Sequence, residues 1–353
     1  MSATTETAIV TGYPGWLGNR LLHFLHHAHP DFPGEVEAPR FGRVRCLVLP
    51  GAPVEKIAAL YPDLELVEGD VRDPSAVGRL FAGTDAATVF HLAGIIHPAR
   101  IRDLFEINSQ GTRHILAAAV AAGAKRVVAV SSNSPAGAAR DPTVVFDESS
   151  PYRPYMAYGR SKKLMEDDLN AAHRSGALET VILRPCWFYG PEQPPRQSEF
   201  FRLIRTGKGP IVGDGEARRS MSYVDNTSLG LLLAATHSRA AGETYWIADE
   251  RPYSMNEIVD TVEDLLERTF EMEVAHDRMH LPSVASEVAL AVDGVVQRAG
   301  LYQQKVHVLS EMNKTIACSV GKAREQLGYR PTVDLREGMR RSIEWCLANG
   351  QEI

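Results

Sequence analysis

Short apolar strands alternate with helical stretches through the first half of the chain, and this alternation limits the fold more than any other feature. TAIVT (7–11), VRCLVL (44–49), LELVEGD (64–70), ATVFHLAG (87–94), RVVAVSS (126–132) and TVILRP (180–185) each read as a strand, with helical segments between them. Strands that are apolar along their whole length are buried on both faces, which predicts a doubly wound α/β fold with a parallel sheet covered on either side. Beyond Pro185 the texture changes to turn-rich stretches such as YGPEQPPRQ and GKGPIVGDGE. A smaller, mixed C-terminal substrate lobe is expected there. ETYWIAD (243–249) reads as a strand returning to the sheet. The expected division is 1–185 with 224–250 returning to it, against a lobe of 186–223 and 251–353.

Composition excludes several function classes. The chain has 353 residues and a net charge of −6, with no basic run, so nucleic acid is not an expected partner. No stretch reaches the ~18 apolar residues of a membrane span, so no membrane partner is expected either. MSATTETAIV lacks a basic n-region and a long apolar core, so a cytoplasmic location is expected. The cysteines Cys46, Cys186, Cys318 and Cys346 are scattered and show no zinc spacing, which predicts reduced thiols and no metal. The histidines His23, His26, His27 and His29 read as a solvated helix end. Residues 29–42 form a loop longer than α/β units usually carry.

The run Thr11-Gly12-Tyr13-Pro14-Gly15-Trp16-Leu17-Gly18 joins the first strand to the first helix. Glycines there permit positive φ, close approach to a pyrophosphate and tight helix packing, and the helix N-terminus offers free N–H groups. Dinucleotide binding through Gly12–Gly18 is expected, and with it a Rossmann-type sheet. The second strand ends in Leu49-Pro50 with neither an acid nor an arginine for the ribose, which leaves NAD preferred and NADP open. Arg45 lies inside that strand. Asp70 and Val71 follow the third strand, positioned either to contact adenine or to cap the next helix.

Tyr158 and Lys162 stand four apart in MAYGRSKKLMEDDL, which on a helix puts both on one face. A neighbouring ammonium favours the phenolate and lowers the pKa of a phenol, so the pair suits proton exchange with a substrate hydroxyl.

In order along the chain, TGYPGWLG, EGDVRD (68–73), HLAG (91–94), NSQGT (108–112), VSS (130–132), YGRSK (158–162), LRPCWFYGP (183–191), RRSMSYVDN (218–226) and the tail LGYRP…LREGMRRSIEWC resemble an extended short-chain dehydrogenase/reductase of the NAD-dependent epimerase/dehydratase group. The resemblance implies Tyr158 as acid/base, with Lys162 tuning it and holding the nicotinamide ribose. It implies Ser132 as hydrogen-bond partner of the reacting oxygen, and Asn108 as support for the site's water and helix geometry. It places Leu92, Ala93, Gly94 and Pro185 along the dinucleotide. Arg219 aligns where relatives grip a nucleotide diphosphate. Ile96, His97, Asn133, Cys186 and Trp187 become candidate substrate contacts, with His97 equally readable as a plain loop residue.

Two departures refine the expectation. Sugar-nucleotide dehydratases resemble one another in an Asp-Glu pair after the catalytic hydroxyl residue, where this chain has Asn133 and Ser134, so dehydration is discounted. The stretch PEQPPRQSEFF lacks the Asn that often holds the diphosphate, and Gln193, Arg196 and Gln197 are the available substitutes. The leading expectation is an NAD-dependent sugar-nucleotide epimerase, with a 4-epimerase foremost. The alternatives are a net oxidoreductase on a keto sugar, sterol or other secondary alcohol, and a non-catalytic dinucleotide sensor. Relatives often form homodimers through the 102–122 helix and the Tyr158 helix. The Ala-rich stretch 117–124 suits either that interface or packing on the sheet.

Overall fold

The computed structural model describes residues 6–34 and 41–353. The middle of the expected 29–42 loop, at 35–40, lies outside the described residues. The sheet is formed by β1 (Thr7–Thr11), β2 (Arg43–Val48), β3 (Leu64–Glu68), β4 (Thr88–His91), β5 (Arg126–Val130), β6 (Glu179–Pro185) and the returning strand Thr244–Ile247. The spatial order is Thr244–Ile247, β6, β5, β4, β1, β2, β3, and every pairing is parallel. β1 pairs with β2 on one side and with β4 on the other, so the winding reverses there. Thr11 is in register with both Leu47 and His91. In open α/β sheets ligands enter at this reversal, beyond the carboxyl ends of the strands.

Alternate residues of β1 serve opposite layers, as the pleat requires. Ala8 and Val10 pack with Leu21 and Leu22 of α1 (Trp16–His26). Ile9 packs with Leu80 of α2 (Pro74–Phe81) and with Ile115. The cap of α2 is Asp73, which accepts from Ser75 N with Pro74 following, so Asp70 does not fill that role.

The expected 102–122 helix runs from Ile101 to Ala121, but its Phe105–Gly111 portion is π-helical. Such an inserted turn is common at functional sites, and no spacing rule would have exposed it. Ile115, Leu116 and Ala119 are buried against the sheet while Val120 is exposed. Within the Ala-rich stretch 117–124 only Ala119 and Ala124 are buried, while Ala117, Val120, Ala121 and Gly123 are exposed.

Past β6, Trp187–Tyr189 pairs in parallel with Met221–Tyr223, and Arg218–Arg219 pairs antiparallel with Tyr253–Ser254. Helices Met255–Asp264 and Leu335–Ala348 close a separate core around Tyr189, Met221 and Tyr223. Helix Val224–Thr236 returns to lie against β5, β6 and α1.

The histidine cluster differs from its expectation. His29 is buried, with Nε2 3.4 Å from Asp225 Oδ2. Arg20 of α1 donates to the same carboxylate at 2.7 and 3.0 Å and to Glu192 at 2.7 Å. Packing of α1 on the Asp225 helix draws this end of the histidine run inward, a tertiary contact that helical spacing cannot reveal.

Candidate active site

The glycine turn fits a dinucleotide. Gly12 has φ +87°, and a Cβ there would stand 2.7 Å from Leu92 C and Ala93 N. A Cβ on Gly18 would lie 2.6 Å from Gly12 O. The backbone is thus pressed against the chain leaving β4 and against α1 at once, which no larger residue allows. Gly15 is the N-cap of α1, which has no side-chain cap and no acid in its first turn. Its first N–H groups remain free for an anion. Pro14 and Gly15 are exposed, and Tyr13 is buried beneath them with its phenol pushed up to about 12 by burial. Trp16 Nε1 donates to Pro191 O at 2.6 Å, tying the turn to the chain beyond β6.

Hydrogen bonds hold the floor of the site. His91 bridges Thr11 Oγ1 (2.8 Å) and Thr112 Oγ1 (2.9 Å), and Ala93 N donates to Thr11 Oγ1. Burial, reinforced by Lys162, lowers the His91 pKa to about 3, so the ring is neutral. Asn108, within the π turn, accepts from Ile95 N (2.8 Å) and donates to Ile95 O and Ser161 Oγ (3.0 Å each). It therefore fastens the loop after β4 to the Tyr158 helix.

Tyr158 and Lys162 are buried on helix Met156–Arg174. Lys162 Nζ donates to Val130 O at 2.9 Å and stands 3.1 Å from the point a Gly94 Cβ would occupy. Burial lowers its pKa to about 8, against a raising contribution from Glu166. Tyr158 corrects one expectation. Its pKa is raised, to about 12, because burial outweighs the lowering effect of the Ser132 hydroxyl. Lys162 is turned toward the β5 carbonyl, and the group that acts on Tyr158 Oη by hydrogen bonding is the Ser132 hydroxyl. In the unliganded protein the phenol keeps its proton. Ser132 Oγ lies 3.3 Å from Asn133 Oδ1 and 3.4 Å from Ser134 Oγ, within the turn that follows β5. Gly159 makes this approach possible, since a Cβ there would lie 2.6 Å from Ser134 O.

Other predicted positions divide. Leu49 is exposed at the end of β2. Arg45 points away from the ribose end: its guanidinium bonds Glu65, Leu80 O and Ala82 O. The Asp70 carboxylate is taken by Arg72 at 2.7 Å, and the Val71 side chain is buried under Gly111, so both are largely spent on structure. Ile96 is exposed, whereas His97 Nδ1 is 2.6 Å from Tyr302 Oη. Cys186 follows Pro185 and is buried with its sulfur 3.6 Å from that of Cys318. Trp187 packs on Phe200 in the C-terminal core, in a different cluster from Tyr158. Gln193 is buried and bonded to Ser342 and Ser198, and Gln197 donates to Phe188 O. Of the three substitutes for the missing Asn, Arg196 alone makes no hydrogen bond among the described residues.

Arg219 is buried. One guanidinium nitrogen donates to Glu311 O, and Nε has no partner among the described residues. Burial lowers its pKa, while Glu311 raises it. Glu311 follows Ser310, whose hydroxyl is 2.7 Å from Tyr155 Oη, so the segment that Arg219 bonds also contacts the start of the Tyr158 helix. A buried cation with an unfilled donor suits an anionic or polar ligand.

Sequence reasoning missed the support behind Lys162. Glu166, one turn further along, pairs with Arg184 of β6 at 3.0 and 2.6 Å and accepts from Ser131 Oγ and Tyr152 Oη. The i+4 spacing of Lys162 and Glu166 was visible; the partner on β6 was not.

Comparison with known proteins agrees with this geometry. Residues 8–248 match the model of the NAD dependent epimerase/dehydratase family. The chain is 47% identical to the uncharacterized protein y4nL of Sinorhizobium fredii, over 97% of this chain and 96% of that protein. It is 29% identical to 3beta-hydroxysteroid-dehydrogenase/decarboxylase isoform 1 of Arabidopsis thaliana, over 80% of this chain and 66% of that protein. Among solved structures, DesIV, a dTDP-glucose 4,6-dehydratase from Streptomyces venezuelae with NAD and TYD bound, superposes with a TM-score of 0.73 and 26% identity, over 97% of each chain. The glycine cradle, the parallel sheet and the family match together make this chain an enzyme of the extended short-chain dehydrogenase/reductase type with NAD as its cofactor, a member of the NAD dependent epimerase/dehydratase family.

Proposed function

We propose that the chain is an epimerase of diphosphate-linked sugars, inverting C4 by transient oxidation. The observation that carries this reading is Arg219, a buried guanidinium with an unfilled Nε, bonded to the Glu311 segment that also contacts the start of the Tyr158 helix. Gly12, Gly15, Gly18 and the start of α1 would hold the pyrophosphate of NAD, and Lys162 the nicotinamide ribose. When bound, NAD supplies the acceptor and donor of hydride. Tyr158 exchanges a proton with the C4 hydroxyl, and Ser132 holds the same oxygen. A pKa near 12 keeps the phenol protonated at rest. The Lys162 ammonium, joined by the positive charge that oxidised NAD would bring, would draw the pKa down when the base is needed. With bound NAD taking hydride from C4 and restoring it to the opposite face, no net redox change would result. Asn133 and Ser134 stand where a dehydratase needs acids, and water elimination is not part of this reading.

A second reading is net oxidoreduction of an apolar secondary alcohol. It is favoured by the neighbours of Tyr158, namely Ile101, Leu104, Ile95, Phe105 and Tyr302, and by the similarity to the plant hydroxysteroid dehydrogenase. The reading further takes the chain as a cytoplasmic homodimer, paired through the outer faces of the helices bearing the exposed Val120 and Leu164. The four buried free thiols accord with a reducing compartment.

The test is to release and identify any bound dinucleotide and then incubate the protein with UDP-sugars. Epimer formed without added NAD supports the first reading. Stoichiometric change in NAD(P)H with a ketone or secondary alcohol would replace it with the second.

A further inference from the structure

The helix that carries Tyr158 starts without a cap of its own. Tyr155 stands at its N-cap position and makes no side-chain hydrogen bond to the first turn. The Tyr155 phenol is engaged elsewhere, 2.7 Å from Ser310 Oγ. Met156, which opens the helix, has φ +52°, a left-handed conformation that persists only where neighbours hold it. A helix start leaves its first N–H groups without partners inside the helix, and a buried one needs an acceptor. Ala157 is wholly buried and directly precedes Tyr158.

The acceptor comes from 140 positions away. Gln297, on helix Val284–Arg298, accepts from Ala157 N through Oε1 at 3.0 Å. An N-cap side chain makes this bond to the second residue of a helix, and here another element supplies it. The amide is held in that orientation. Gln297 Nε2 donates to Asp293 Oδ2 at 2.8 Å, and a carboxylate can only accept. The same oxygen is 2.7 Å from His307 Nδ1. Asp293, Gln297 and His307 are all buried. His307 belongs to helix Gln304–Glu311, whose Ser310 donates to His307 O at 2.7 Å and meets the Tyr155 phenol. On the other side, Tyr155 N donates to Ser134 O at 2.9 Å, in the turn that presents Ser132. The segment Tyr155–Ala157 is gripped between that turn and the two helices.

We infer that Gln297 is a positioning residue for Tyr158: held by Asp293 and His307, it caps the first turn of the Tyr158 helix and fixes where the phenol stands relative to Ser132. A shift of the first turn moves Tyr158 directly. Lys162, one turn deeper and bonded to Val130 O at 2.9 Å, keeps its place. Loss of the cap therefore acts on proton transfer more than on dinucleotide binding. This rests on the reading of Tyr158 as acid/base, which both substrate classes share.

Hydrogen exchange of the full chain, read by mass spectrometry, tests the cap without any substrate. In Gln297→Leu, close in volume but lacking the acceptor, the Ala157 amide should exchange about ten-fold faster, as expected of a lost cap. Turnover of the substrate found in the incubation above should show kcat lowered about ten-fold or more, with KM and the dinucleotide Kd within about two-fold. Gln297→Glu keeps an acceptor but sets two carboxylates against each other, and should be at least as slow. Asp293→Asn in that background restores complementarity, because the new amide has one hydrogen for the new carboxylate and one for His307 Nδ1 in its other tautomer. The double variant should return kcat to within about three-fold of wild type. Unchanged exchange at Ala157 in Gln297→Leu would overturn the inference. So would an unchanged kcat in Gln297→Leu below its melting temperature, or a double variant no faster than Gln297→Glu. Tyr158→Phe, run alongside, separates the two readings. If it keeps its rate, the acid/base reading fails and the inference falls with it. If it loses its rate while Gln297→Leu keeps full kcat, the positioning inference alone fails.

Discussion

Replacing Glu166 by Gln tests the link between the buried network and the candidate site. Glu166 and Arg184 are both almost wholly buried, with side chains 0% and 4% exposed. The carboxylate meets the guanidinium through two bonds and accepts two hydroxyls as well. The Gln side chain has nearly the same shape but carries no charge and has one acceptor fewer. It leaves Arg184 as an uncompensated buried cation, a change that typically costs about 3–5 kcal/mol. Unfolding entropy near 2.1 cal/mol/K per residue, applied to 353 residues, gives about 0.74 kcal/mol/K. A loss of about 4 kcal/mol then lowers Tm by about 5 °C in scanning calorimetry. The charge that raises the Lys162 pKa is lost too, so that pKa should fall below its value of about 8. Dinucleotide binding should then weaken at a lower pH than in the wild type. Arg184→Met in the Glu166→Gln background should recover most of the lost Tm, because it removes the stranded cation. A single variant within 1 °C of wild type, or a double variant no better than the single, would refute the reasoning.

Other outcomes follow from the same geometry. Tyr158→Phe should abolish turnover while leaving the dinucleotide Kd, measured by fluorescence titration, within about three-fold. Gly159→Ala places a Cβ 2.6 Å from Ser134 O and pushes the helix off the Ser132 turn. It should lower kcat by about 10²-fold, the typical cost of a misplacement of about 1 Å. Arg219→Met should raise KM for a diphosphate-linked sugar by about 30-fold or more, with folding retained by circular dichroism. Burial raises the Asp249 pKa to about 7, so between about pH 4 and 7 the native carboxyl holds a proton that the unfolded chain releases. Stability therefore falls as pH rises through that window. In Asp249→Asn this part of the slope should vanish when Tm is compared at pH 5 and pH 7.

The sequence alone determined the parallel α/β sheet, because strands buried on both faces must be apolar throughout, and that pattern is local. It determined the glycine turn for the same kind of reason: three glycines between one strand and one helix are a backbone requirement written in adjacent residues. Tyr158 and Lys162 were legible as a helical pair. Tertiary structure alone decided their electrostatics. The expected depression of the Tyr158 pKa reversed, because burial outweighs the lowering effect of the Ser132 hydroxyl while Lys162 is turned toward Val130 O. Only the folded chain brings Arg184 to Glu166, His29 to Asp225 and Gln297 to Ala157, since each contact joins segments distant in sequence. Tertiary structure also decided which face of helix Val284–Arg298 looks outward. Its composition fits an ordinary amphipathic helix, and the polar partners on the Tyr155–Ala157 segment and on His307 and Leu309 are what turn the valines to the surface.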